Sequence, residues 1–211
     1  MDLKDIRSEF SRGGLSKDQV NKNPIEQFKQ WFKQASKFEI PEVNAMTIAT
    51  ASPGGFPSAR IVLLKEVDEN GFVFFTNYDG RKGKELEQNP KAALLFFWIE
   101  LEQQIRIEGI VEKTSEKESD AYFNSRPLES KISAIVSKQS NVVQNRELLE
   151  EKYVNCLKDN FEKEIKRPEN WGGYRVIPER IEFWQGRTNR LHDRILYTKI
   201  EKEWKIERLE P

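Results

Sequence analysis

The chain has 211 residues, with Lys+Arg and Asp+Glu at 35 each and a formal net charge of zero. That balance argues against bulk electrostatic capture of nucleic acid or of a membrane surface, while leaving room for a local basic pocket that takes a small phosphorylated ligand. One cysteine, Cys156, allows no intrachain disulfide, and one histidine, His192, makes a protein-built transition-metal site unexpected. No apolar run approaches the ~20 residues needed to span a bilayer, and the polar N-terminus shows no secretory pattern, so a cytoplasmic protein is expected.

Residues 1–23 are polar, contain Gly13-Gly14, and read as an arm ahead of a single domain over 24–211. Pro24 to Phe38 predicts a helix, with Pro24 in its first turn and Ile25, Phe28, Trp31, Phe32 and Ala35 at helical spacing. Met46–Ala51 reads as a strand, Ser52-Pro53-Gly54-Gly55 as a turn, and Ala59–Val67 as one second strand. Asn70-Gly71 turns the chain into a strand over Phe72–Thr76. A short helix follows over Gly80–Glu87, then strands over Ala92–Ile99 and Gln103–Lys113. In the last, Ile105, Ile107 and Val111 alternate with polar residues and give one buried face. Helices are predicted over Ser115–Ser125, Glu129–Val136 and Asn145–Phe161, with Cys156 as a packing residue of the third. Strands near Ile195–Ile200 and Trp204–Leu209 close the chain. Many antiparallel strands with helices between them predict an α+β protein with a closed or partly closed sheet.

The stretch WGGYRVIPERIEFWQGRTNRLHDR, 171–194, carries the densest chemistry. It reads as a hairpin that turns at Pro178-Glu179 and ends at Gly186 in a polar tip with Arg187, Arg190, Leu191, His192, Asp193 and Arg194. On an extended backbone Arg190, His192 and Arg194 share one face, which suits an anionic, planar ligand. Taken alone this is a solvated basic loop, but two tryptophans and the glycines beside it weigh against that.

No Walker loop, GxSxG motif, zinc cluster or dinucleotide fingerprint is present. What remains is a set of cations at strand ends and turns: Arg60 and Lys65 around Ile61-Val62-Leu63-Leu64, Arg81-Lys82 after Thr76, Arg126, and the tip. Singly each is a surface charge; jointly they suffice for more than one phosphate. Arg60 and Lys65 are an odd number of residues apart, so on a regular strand they face opposite sides of what reads as an otherwise buried element.

RIVLLK at 60–65, FFTN at 74–77, RK at 81–82, YFNSRPLES at 122–130, SKQS at 137–140 and WGG…EFWQG…RLHDR at 171–194 together resemble the pyridoxamine 5′-phosphate oxidase family, in this order and spacing, over nearly the whole chain. The resemblance implies a split β-barrel homodimer with flanking helices and FMN in clefts at the subunit interface. It implies a flavin site of Arg60, Ile61, Val62, Leu63, Leu64, Lys65, Phe75, Thr76, Arg81, Lys82, Gln104, Gln139, Ser140, Trp184 and Arg194. The implied substrate site takes Lys65, Tyr122, Arg126 and Ser130 around a phosphate, Arg190, Leu191 and His192 at the pyridine ring, and Arg7 from an N-terminal lid, with Arg190 and His192 closest to the chemistry. In that lid Phe10 stands where related enzymes carry a tyrosine. The implied reaction oxidises pyridoxamine or pyridoxine 5′-phosphate with O2, giving pyridoxal 5′-phosphate and H2O2, with ammonia released from the amine. No metal, nucleic acid or membrane is implied. Three other readings stay open on the residues: a split-barrel flavin reductase, a carrier of pyridoxal phosphate without flavin, and a dimer module without ligand.

Overall fold

The computed structural model describes residues 1, 3–5, 9–160 and 163–211; Arg7 and Phe161 lie outside them. Nine antiparallel strands form one sheet. They are β1 (Ala45–Ala51), β2 (Pro57–Leu63), β3 (Glu66–Asp68), β4 (Gly71–Asn77), β5 (Lys91–Trp98), β6 (Gln103–Lys113), β7 (Trp171–Gln185), β8 (Asp193–Ile200) and β9 (Glu203–Leu209). The order is β2-β1-β5-β6-β7-β4-β3, with β8 and then β9 added beside β7. Only Leu64 and Lys65 separate β2 from β3, the two ends of that path, so the sheet has to curl on itself into a split barrel.

Helix α1 (Pro24–Ala35) packs its apolar stripe into the curl. The Asn23 side chain caps it by accepting the Ile25 N–H at 2.8 Å. Phe28 meets Phe72 and Phe96 edge-on at centroid separations of 4.9 and 5.2 Å, and Trp31 meets Phe183 at 5.2 Å. Truncating a ring buried this way costs about 3–5 kcal/mol, so this helix holds the barrel shut. It ends at Ala35, short of the expected Phe38, because Lys37 and Phe38 donate to carbonyls only three residues back and Glu39 turns left-handed. Helix α2 (Arg81–Gln88) follows β4. Helices α3 (Glu116–Ser125), α4 (Leu128–Val136) and α5 (Arg146–Asp159) build a second apolar cluster around Phe123, Ile132, Ile165 and Trp171. No helix among the described residues is long and apolar enough to cross a membrane.

Three sequence expectations are corrected. The 171–185 stretch is not a hairpin: β7 runs straight through Pro178. Its first half pairs with β4 as far as Val176, its second half pairs with β8 from Arg180, and β6 spans both. Pro178 stands where the neighbour changes, so its missing N–H leaves no ladder gap. The β6 register slips there, from Glu108 opposite Arg180 to Gly109 opposite Pro178, leaving Glu179 as a bulge. A side chain at residue 109 would collide with the Ile177 carbonyl. Second, 59–67 is not one buried strand. It breaks at Leu64-Lys65, and β2 is an edge strand whose Ile61 is 64% exposed. Third, the tip is not extended. Residues 188–190 form a 3-10 turn with Asn189 and Arg190 at φ 56° and 60°, so Arg190, His192 and Arg194 do not share a face.

Candidate functional site

Strand β4 places successive side chains on opposite faces of the sheet, and a group of cations gathers on each side of its C-terminal end. On the Thr76 side, Lys82 is buried in the first turn of α2. Its Nζ donates to Thr76 Oγ1 at 3.0 Å and to Gln139 Oε1 at 2.6 Å. Burial, with Arg60 close by, pushes its ammonium down to about 8. Arg60 and Arg81 both reach Glu85, at 3.2 and 2.9 Å. Burial alone would raise the Glu85 carboxyl, but hydrogen bonds from Thr50, Ser58, Arg81 and Arg60 outweigh it and hold the group at about 2. Two cations therefore share the Glu85 carboxylate and Lys82 stands beside them without one, an excess of positive charge suited to a phosphate. The N-terminus of α2 has no side-chain cap, and the Arg81 N–H donates to Ser140 Oγ at 3.3 Å. A Cβ at residue 80 would press on the Gln139 side-chain amide, so glycine there leaves Gln139 free to reach Lys82.

On the other side Phe75 stacks on Tyr122 at a centroid distance of 4.0 Å, and both rings lie nearly parallel to Trp171. The Arg126 guanidinium sits 4.6 Å over Trp171, and Lys65 Nζ lies 6.0 Å from the Tyr122 ring. Arg126 Nη1 is buried with no hydrogen-bond partner, and burial lowers the guanidinium from its ordinary value. A buried, unpaired guanidinium nitrogen is costly unless an anion meets it. Ser130, in the first turn of α4, lies on the element that follows Arg126-Pro127.

The tip lies at the other end of β7. His192 packs against Trp184 at 4.7 Å and against Phe10 of the arm at 6.0 Å. Its Nδ1 accepts the Arg187 N–H at 3.1 Å, which leaves Nε2 as the proton-bearing nitrogen of the neutral ring. Arg194 is held by Glu182 through its Nε at 2.8 Å and donates to the Glu210 carbonyl. Arg190 and Leu191 are exposed. Gln104 sits opposite Trp184 in the β6–β7 ladder.

Of the residues singled out in the sequence, Arg60, Thr76, Arg81, Lys82, Gln139 and Ser140 thus meet in one pocket, and Lys65, Phe75, Tyr122 and Arg126 in a second. Gln104, Trp184, His192 and Arg194 gather at the tip. The Ile61 side chain points to the exposed face of β2, while Leu64 is buried and its backbone N–H and carbonyl both bond Asn44. The second pocket stands by Trp171 and the tip by Trp184, opposite ends of β7 and roughly 40 Å apart along the strand at about 3.3 Å per residue. Within one chain no small ligand reaches both. Sequence reading missed Glu85 and Trp171 as members. Glu85 had a signal in its i,i+4 spacing from Arg81; Trp171 had none beyond being a tryptophan next to two glycines. Among the described residues no group of three His, Cys, Asp or Glu side chains is placed to hold a metal.

A curled antiparallel sheet with cation-lined pockets on both faces of one strand defines the class: a split-barrel protein. Residues 32–156 match the family described as pyridoxamine 5′-phosphate oxidase, and residues 171–211 match the pyridoxine 5′-phosphate oxidase C-terminal dimerisation region. The chain belongs to the pyridoxine/pyridoxamine 5′-phosphate oxidase family. It is 56% identical over 210 residues to the pyridoxine/pyridoxamine 5′-phosphate oxidase of Nostoc sp., covering 99% of this chain and 98% of that one. Identity to the enzyme of the same name from Burkholderia thailandensis is also 56%, over 214 residues and 99% of each chain. Among solved structures, PhzG from Burkholderia lata, in complex with tetrahydrophenazine-1-carboxylic acid, superposes with a TM-score of 0.90 at 31% identity, covering 95% of this chain and all of that one. A pyridoxamine 5′-phosphate oxidase-related, FMN-binding protein from Nostoc punctiforme shares the fold at a TM-score of 0.72 and 15% identity, covering 89% and 98%. The match to the dimerisation region makes the chain one half of a homodimer. The outer face of the β2-β1-β5 edge fits that state, since Ile61 and Phe97 are 64% and 53% exposed there.

Proposed function

We propose that the chain catalyses the FMN-dependent oxidation of pyridoxamine and pyridoxine 5′-phosphate by O2 to pyridoxal 5′-phosphate. H2O2 is released, and when the substrate is the amine, water hydrolyses the imine product and ammonia is released too. The observation that carries the reading is the pair of cation pockets on the two sides of β4, one beside Thr76 and one beside Phe75. Two phosphorylated molecules held on adjacent residues of one strand suit a phosphorylated cofactor and a phosphorylated substrate. The donor set fits the FMN phosphate: Arg60, Arg81 and Lys82 supply charge, Thr76, Gln139 and Ser140 supply polar contacts, and Gly80 leaves room.

When bound by Arg60, Thr76, Arg81, Lys82, Gln139 and Ser140, FMN would supply the redox chemistry, two-electron oxidation of the substrate's 4′ carbon with reoxidation by O2. The chain's own residues hold and orient. Lys65, Tyr122, Arg126 and Ser130 take the substrate phosphate, and the unpaired Arg126 Nη1 gains its missing acceptor there. Arg190 covers the pyridine ring, and His192 donates from Nε2 to a polar ring substituent. Because the tip and the phosphate anchors lie at opposite ends of β7, each active site takes its tip from the partner subunit, with FMN at the interface. Two fixed ends would limit how the ring can sit, which is the positioning that transfer needs. The surroundings suit the cytoplasm, where the lone thiol of Cys156 stays reduced.

The reading is tested by the visible spectrum of the purified protein under anaerobic conditions. Addition of pyridoxamine 5′-phosphate should bleach a flavin band, and admission of O2 should restore it with release of H2O2. A colourless protein, or a flavin band unmoved by the substrate, would overturn it.

A further inference from the structure

The N-terminal arm is tied to the barrel by several hydrogen bonds, among them Arg187 Nη1 to the Gly13 carbonyl and the Tyr197 hydroxyl to the Asn21 carbonyl, each at 2.7 Å. At Leu15 the backbone N–H donates to Asp193 Oδ2 at 3.0 Å and the carbonyl accepts from Arg208 at 2.8 Å. Farther up the arm, the Glu102 carboxylate receives two backbone donors on a single oxygen, Ser11 N–H at 2.8 Å and Arg12 N–H at 2.9 Å. These bonds link residues about ninety positions apart and fix the segment that carries Phe10. The Phe10 ring in turn stands edge-on to Trp184 at 5.8 Å and packs against His192. Its approach requires the bare backbone of Gly186, because a Cβ there would press on Phe10 and on Glu102 Cβ.

Glu102 itself is set for this contact. It is 8% exposed and adopts the left-handed φ of 56°, a conformation a glutamate seldom takes without cause. Its carbonyl is held by the Gly186 N–H at 2.8 Å and by Gln185 Nε2 at 3.2 Å. Its carboxylate is met by the two arm amides. We infer that Glu102 is a positioning residue: its carboxylate latches the arm so that Phe10 closes over His192 and Trp184. This rests on the assignment of His192 to the substrate side of the site.

The test compares Glu102→Ala with Glu102→Gln in the flavin-loaded dimer. A glutamine oxygen still accepts from backbone amides; alanine has no acceptor. Tryptic cleavage at Arg12–Gly13, followed by mass spectrometry, reads the latch without reference to catalysis. Glu102→Ala should be cut at least tenfold faster than the native protein, and Glu102→Gln within about threefold of it. With pyridoxamine 5′-phosphate, Glu102→Ala should keep its flavin and show KM raised about tenfold with a smaller change in kcat, while Glu102→Gln restores KM. Native cleavage rates and KM in Glu102→Ala would overturn the latch, as would equal loss in both variants. If the native protein oxidises no pyridoxamine phosphate, the proposed function fails, and the cleavage comparison still decides the latch.

Discussion

The two cation pockets on either side of β4 differ in how their charge is balanced. In the pocket beside Thr76, Glu85 is ionised inside a ring of donors and Lys82 is satisfied by Thr76 and Gln139, so the geometry is complete before any ligand arrives. In the pocket beside Phe75, no carboxylate among the described residues answers Lys65 or Arg126, aromatic faces stand in for one, and a guanidinium nitrogen is left bare. The first arrangement suits a resident cofactor, since its side chains are held by one another without a ligand. The second makes binding favourable partly by relieving an unpaid desolvation, which suits a substrate that comes and goes.

The largest effect is expected from emptying the first pocket of charge. Arg81→Ala/Lys82→Ala removes two charge-assisted contacts and should weaken FMN affinity by about a thousandfold, measured by fluorescence titration of the apoprotein, while leaving a folded dimer. Full flavin occupancy in the purified variant would break the assignment. Arg126→Ala should split the two pockets apart. Flavin content stays native, kcat/KM falls about a hundredfold, and thermal stability without substrate is unchanged or higher, because a desolvated cation has gone. Loss of flavin would erase the distinction between the pockets.

Acidity sharpens the comparison from the other direction. Lys82 has its folded value lowered to about 8, below its ordinary 10.5. Between those values the unfolded chain binds more protons, so the ligand-free protein should gain stability as pH rises from 8 towards 10. Over the same range Lys82 loses the charge that phosphate needs, so FMN should bind about tenfold more weakly at pH 9 than at pH 7. Flat affinity would mean that Lys82 is not a phosphate ligand. Arg190→Ala touches neither pocket of the same chain. It should leave the protein yellow and lower kcat along with kcat/KM by about tenfold.

The fold was legible wherever pattern and period agreed. The alternation in β6 and the helical stripe of α1 carried through, since each has one buried face. The tip was not legible, because left-handed φ at Asn189 and Arg190 is set by how the turn meets β8, and RTNR has no glycine to announce it. The Pro178 misreading has a similar cause. Pro-Glu is a turn signal on its own, and only the exchange of neighbours along β7, with Gly109 opposite, turns it into a bulge. The cations of the site could be named one by one from the sequence, but not their division into two pockets and a distant tip. That division depends on β4 facing two ways and on β7 running unbroken for 15 residues.

The central claim is that each active site joins the phosphate anchors of one subunit to the tip of the other. Arg126→Ala and Arg190→Ala are each expected to impair activity, so hybrid dimers of the two, formed by mixing and co-refolding, test it directly. A site shared across the interface gives each hybrid one intact and one doubly altered site. With random reassortment, pyridoxamine phosphate oxidation should then recover to about a quarter of the native rate above the residual activity of the parents. A site contained within one chain would leave both sites of every hybrid singly altered, and the mixture would show no more than the average of the two parents.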